Sequence, residues 1–156
     1  MLTWIYKNKH YLIIFCQQKI PIVNIFEEEE SYGSLYIKGL YKPKNGFIYN
    51  DNYLCVIDSN NCCLRIWDLI TKIQYKRIFI DFKVINGILL WDKIYAIISI
   101  TEAFILVNLE EGKVVNKIKS NQGYNGYNYM NKIRLSDLGE CLICSSSYGI
   151  HLYDTY

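Results

Sequence analysis

The stretch Tyr53–Asp68, YLCVIDSNNCCLRIWD, constrains this chain more than any other, because near-copies of its pattern occur once before it and twice after it. Tyr53 to Ile57 is a β-branched and aromatic run, Asp58-Ser59-Asn60-Asn61 is turn chemistry, and Cys62 to Trp67 is a second apolar run closed by Asp68. The stretch therefore reads as a β-hairpin. Two strands and a turn cannot bury both of their faces alone. A hairpin that repeats has to pack on its own copies, and 156 residues are enough for one core built in that way.

The copies are YLIIFCQQKIPIVNIFE from Tyr11, YAIISITEAFILVN from Tyr95 and CLICSSSYGIHLYD from Cys141. Aligning their ends puts Ile25-Phe26-Glu27, Ile66-Trp67-Asp68, Leu106-Val107-Asn108 and Leu152-Tyr153-Asp154 in one place, at steps of 41, 40 and 46 residues. A period of about 40 to 45 is that of four-stranded propeller blades. A short strand leads into each hairpin (Leu2 to Tyr6, Phe47 to Asn50, Gly87 to Trp91, Ile133 to Leu135), and a further strand follows all but the last (Leu35 to Leu40, Ile73 to Ile80, Lys113 to Ile118). With the strands called a, b, c and d, the chain reads abcd, abcd, abcd, abc. The expected fold class is all-β, a partial β-propeller of about four blades made of antiparallel four-stranded sheets with little or no helix. Residues 1–156 form one domain in this reading, with repeats near 1–40, 41–82, 83–119 and 132–156 and a loop insertion at 120–131.

Composition supports strands. Fifteen Tyr, many Ile and only two Pro suit a pleated surface, and 51% apolar residues exclude disorder over most of the chain. The formal charge of +2, from seventeen basic and fifteen acidic residues, gives no electrostatic case for nucleic acid or an anionic membrane as partner. The most apolar window, Val84 to Val107, is interrupted by Asp92-Lys93 and carries Glu102, so it parses as three strands rather than a membrane span. With no signal-peptide pattern near Met1, a soluble cytoplasmic protein is expected.

The six cysteines read as reduced thiols. Cys141 and Cys144 lie three apart on an expected strand and so point to opposite faces, as do adjacent Cys62 and Cys63. Small buried thiols explain them, and no metal or cofactor is expected. Lys38, Lys72, Lys76, Arg77, Lys113, Lys117 and Lys119 fall on or beside the d strands. They read either as a guard on outermost edges or as a basic patch for an acidic partner. The run Glu27 to Glu30 with Ser31-Tyr32-Gly33 is expected to lengthen the first c-to-d turn. SNQGYNGYNYMN from Ser120 reads as an insertion of biased composition, or as a loop whose tyrosines meet a partner.

At the hairpin ends the residues resemble a known family. Leu64-Arg65-Ile66-Trp67-Asp68-Leu69, followed by Ile70-Thr71-Lys72, is similar to the signature of WD-repeat (WD40-like) β-propellers. Leu106-Val107-Asn108-Leu109-Glu110-Glu111-Gly112-Lys113 resembles the same turn, with positive φ expected at Gly112, and Ser145 to Asp154 resembles it again. The family's Gly-His pair has no counterpart, since only His10 and His151 exist. His10 is expected in a polar turn. The repeats are thus degenerate, and the related quinoprotein-like propellers are the other subfamily in view.

Motifs for phosphate, dinucleotide, nucleophilic serine and zinc-hydrolase chemistry are absent. The resemblance implies a non-catalytic protein–protein interaction scaffold that binds a protein or peptide on its loop face. The residues expected there are Lys42 and Lys44, Asp58 in the b-to-c turn, and Tyr124, Tyr127 and Tyr129. Two alternatives stand: a quinoprotein-like enzyme or cofactor-binding propeller, which needs polar groups at the axis, and a truncated gene fragment without independent function. The missing last d strand leads to the expectation of an open arc. Apolar end blades and a free edge at Ile150 to Tyr153 would then favour self-association or completion by blades from another chain.

Overall fold

The computed structural model describes residues 1–16, 19–26, 31–36, 45–89, 94–100, 103–119, 132–135, 141–146 and 149–154. These form fifteen strands and no helix. The first blade comprises β1 (Leu2–Tyr6), β2 (Lys9–Ile13), β3 (Lys19–Asn24) and β4 (Ser31–Tyr36). The second holds β5 (Gly46–Tyr49), β6 (Tyr53–Asp58), β7 (Cys63–Asp68) and β8 (Gln74–Phe79), and the third β9 (Val84–Leu89), β10 (Tyr95–Ile100), β11 (Ala103–Asn108) and β12 (Lys113–Lys119). The fourth has β13 (Lys132–Leu135), β14 (Cys141–Ser146) and β15 (Gly149–Asp154). Every sheet is an antiparallel meander in chain order, so the abcd, abcd, abcd, abc reading holds. No described helix is long and apolar enough to cross a membrane.

Neighbouring blades stack by their inner strands: β1 packs on β5, β5 and β6 on β9, and β9 on β13. No comparable strand packing joins β1 to β13 among the described residues. Alternation explains the core. On β6, Leu54 and Val56 face the first blade, where they join Trp4, Ile13 and Ile22, while Cys55 and Ile57 face the third and meet Ala96, Ile98 and Ile105. A strand with neighbours on both sides reads as a continuous apolar run. The outermost β8 is exposed over most of its length. As expected for the end blades, Met1, Ile5 and Phe26 on the first and Ile150 and Leu152 on the last are exposed, and β15 has no fourth strand beside it among the described residues.

The b–c hairpins share one register, and it corrects the alignment of the first blade. Tyr11 stands opposite Asn24, Tyr53 opposite Asp68, Tyr95 opposite Asn108 and Cys141 opposite Asp154. Strand c of the first blade therefore ends at Asn24, not Glu27. The residue after each of the first three acceptors donates its amide across the hairpin, Ile25 to the His10 carbonyl (2.9 Å), Leu69 to Asn52 (2.8 Å) and Leu109 to Ile94 (2.9 Å). The acceptor side chains then cap the turn: Asn24 Oδ1 accepts from the Phe26 amide (3.1 Å), Asp68 Oδ1 from Ile70 (2.7 Å) and Asn108 Oδ1 from Glu111 (2.9 Å). A short side chain with one well-placed oxygen is what the position requires, so Asn and Asp interchange there while Glu does not.

Three further boundaries differ from expectation. Ser31, Tyr32 and Gly33 belong to β4 rather than to a turn, because the Tyr32 ring packs on Trp4 and Tyr11, at centroid distances of 5.3 and 5.1 Å. Residues 27–30 and 37–40 lie outside the described chain. His10 is within β2, its ring 5.7 Å from that of Phe26. Gly87 sits inside β9 rather than opening it, because a Cβ there would lie 2.7 Å from Ile98 Cδ1 and 3.1 Å from Ile57 Cδ1. The glycine lets the second and third blades approach.

Candidate interaction face

The b–c turn and the d–a linker of the second blade lie side by side. The Ile80 amide donates to the Cys62 carbonyl (2.9 Å), and the Ile57 amide donates to Asn45, just ahead of β5 (3.1 Å). Cys62, with φ 48°, closes the turn in the left-handed region, and Asp81, with φ 58°, turns the linker toward β9. Asn60, Asn61, Asp81, Phe82 and Lys83 are all exposed here.

Asp58, expected to meet a partner, is instead buried beneath this face, with 1% of its surface exposed. Its Oδ2 accepts from Arg65 Nε (2.7 Å) and from Asn61 Nδ2 (2.8 Å), and Arg65 Nη2 is also 2.7 Å away. Its Oδ1 accepts from the Asn61 amide (3.1 Å). The physical reason is register: Arg65, on the facing strand and directed to the same side, reaches back to a turn carboxylate that would otherwise be buried without a counter-charge. Asp58 thus shapes the turn from beneath and offers almost no surface of its own. Lys42, Lys44, Tyr124, Tyr127 and Tyr129 lie outside the described residues.

Sequence reasoning missed two aromatic side chains. Phe79, the last residue of β8, is 62% exposed, and Phe82 in the linker is 42% exposed. A cation lies over each ring, Arg77 at 4.6 Å from the Phe79 centroid and Lys117 Nζ at 3.9 Å from that of Phe82. The available signal was Asp81-Phe82-Lys83, an aromatic flanked by charges in a linker. Two of the outer-strand cations, Arg77 and Lys117, thus lie against aromatic rings.

Five of the fifteen tyrosines gather at the other end of the blades. Trp4, Tyr11 and Tyr32 form a row across the first blade, and Tyr49, Tyr53 and Tyr75 repeat it across the second, with centroids 5.3 Å and 5.1 Å apart along the second row. Trp4 Nε1 also donates to the Asp51 carbonyl (2.8 Å), tying the two blades together. Burial above all, with Cys55 and Tyr75 adding, pushes the Tyr49 phenol well above its ordinary value. Burial first, then Tyr6 and Tyr11, raises that of Tyr32.

Among the described residues, no three His, Cys, Asp or Glu side chains converge on a point. Cys55 and Cys63 are buried, and burial reinforced by Cys63 raises the Cys55 thiol far out of the nucleophilic range. At the inner strands Phe47 and Tyr49 are buried and Arg134 is exposed.

No family model matches the sequence, and no curated protein is detectably similar to it. Solved structures do match in fold. Hydrazine synthase of Kuenenia stuttgartiensis superposes with a TM-score of 0.74 at 11% identity, over 94% of this chain and 42% of that one. The C-terminal WD40 domain of Sif2 gives 0.70 at 10% identity, over 96% of this chain and 43% of that one. The chain is a β-propeller segment spanning about two fifths of the length of these two structures.

Proposed function

We propose that this chain is a non-catalytic interaction platform whose loop face, at the top of the second blade, binds a protein or peptide. The observation that carries the reading is the pair Phe79 and Phe82, exposed side chains on one rim beside Asn60, Asn61 and Lys83. Large exposed aromatics next to polar groups are characteristic of binding hot spots. The rigid Asp58–Arg65–Asn61 set beneath holds the turn in shape, which lowers the entropy lost on binding. The resemblance of Leu64 to Thr71 to the WD-repeat signature supports the same reading. Lys42, Lys44, Tyr124, Tyr127 and Tyr129, outside the described residues, belong to the proposal through the sequence reading alone.

Affinity capture with the tagged chain, quantified protein by protein, tests it. The double variant Phe79→Ser, Phe82→Ser should lose at least one captured partner roughly tenfold, the effect of about 1.4 kcal/mol, while its thermal transition stays in place. Unchanged capture removes this face from the proposal. The triple variant Tyr124→Ser, Tyr127→Ser, Tyr129→Ser reports separately on the insertion.

A further inference from the structure

At the two inter-blade joints whose outer strand and facing c–d turn are described, one lysine meets one glycine, supplied from opposite sides. At the first joint, strand β4 presents Gly33 to the c–d turn of the second blade. The Lys72 stem occupies the space a Cβ at Gly33 would need, 2.9 Å from Nζ and 3.5 Å from Cε, and Nζ lies 4.6 Å from the Tyr32 ring centroid. At the second joint, strand β8 presents Lys76 to the c–d turn of the third blade. There a Cβ at Gly112 would lie 3.3 Å from Lys76 Cδ, and Lys76 Nζ donates to the carbonyls of Leu109 (3.2 Å) and Glu110 while standing 5.3 Å from the Tyr75 centroid.

The positions are equivalent in pairs. Gly33 stands opposite Ile22 and Lys76 opposite Ile66, each two residues before the strand-c acceptor, Asn24 or Asp68. Lys72 and Gly112 each come four residues after the acceptor of their own blade, both left-handed at φ 61° and 72°. Their amides donate to the acceptor carbonyls at 2.8 and 2.9 Å. The first joint is thus strand glycine with turn lysine, and the second strand lysine with turn glycine.

We infer that this exchange is a key that fixes which blade packs on which, within one chain and against a second copy. A β8-type strand set on the second blade's own turn would bring Lys76 against Lys72, two ammonium groups in one space. A β4-type strand set on the third blade's turn would bring Gly33 against Gly112, leaving a gap and no cation for the Leu109 and Glu110 carbonyls. Between these two strands and two turns, only the native pairing puts one lysine in each joint. Blades that share one strand order and one hairpin register need such a device, since blades out of order would otherwise pack nearly as well.

Thermal unfolding of the whole chain with Lys76→Gly, Gly112→Lys and the double variant is the test. Each single change should lower the transition by about 2–4 °C or more, and the double should melt clearly above the sum of the two losses, having rebuilt the first joint's arrangement. Lys76→Gly with Gly112→Ala carries the same left-handed strain without the cation and should stay low. Additive losses, or equal melting of the Ala and Lys doubles, would overturn the inference. If Gly112→Lys alone is insoluble, rescue by Lys76→Gly supports the key, and an insoluble double beside a soluble Lys76→Gly overturns it.

Discussion

Replacing Asp58 by Ala removes a carboxylate that is 1% exposed and accepts from Arg65 and Asn61 at 2.7 to 3.1 Å. Arg65, only 8% exposed, stays in place, and its partner across the β7–β8 ladder is a second cation, Arg77. Breaking a buried ion pair from one side typically costs about 3–5 kcal/mol, because the remaining charge keeps its desolvation penalty. For a chain of this length about 1 kcal/mol moves the midpoint by roughly 2–4 °C, so Asp58→Ala should melt about 6–20 °C below wild type. Changing both members, Asp58→Leu with Arg65→Met, removes both charges and should recover a good part of that loss. Thermal melts followed by far-ultraviolet circular dichroism, with partner capture measured in parallel below the transition, separate the two roles. A melt within about 2 °C of wild type together with lost capture would refute the structural role and return Asp58 to the binding surface.

Two other outcomes follow from burial. Because the folded Tyr49 and Tyr32 phenols hold their protons above the ordinary value, the unfolded chain ionises first. Stability should be unaffected by these groups below pH about 10 and should fall as pH rises past it. Melts at pH about 9 and about 11, with tyrosinate absorbance showing a late-titrating fraction, check the sign, and a flat profile would contradict it. Gly46→Ala should destabilise more than Gly87→Ala: a Cβ at Gly46 meets the backbone carbonyl of Cys55, whereas one at Gly87 meets the tips of Ile98, Ile57 and Phe47. Overpacking of about 1–3 kcal/mol is expected for Gly87→Ala. Chemical denaturation midpoints rank the two.

The second blade was legible almost to the residue, since Tyr53–Asp58 and Cys63–Asp68 are continuous apolar runs bounded by turn residues. The first blade was read three residues late. An apolar pair followed by a polar residue occurs at both Val23-Asn24 and Phe26-Glu27, and only pairing with Tyr11 across the hairpin decides between them. Gly87 was taken for a boundary because its reason lies in another blade, in the Ile57 and Phe47 side chains that it admits. At the site, turn chemistry at Asp58 was visible, but its burial depends on Arg65, whose side chain returns across the hairpin. Phe82 carried a local signal in its charged neighbours Asp81 and Lys83, whereas Phe79 ends an alternating strand and its exposure follows from the outermost place of β8 in its sheet.

Each of the first three blades breaks its c–d ladder at one matching point, between Ile22 and Val23, between Ile66 and Trp67, and between Leu106 and Val107. The extra residue on the outer strand is Tyr32, Tyr75 or Val115. Such two-against-one irregularities are set by backbone count rather than by side-chain identity. They therefore do not depend on a tyrosine, since Val115 holds the same position in the third blade. A blade that lacked every tryptophan and aspartate of the signature would still be recognised by this one-residue offset, which spacing, not letters, reveals.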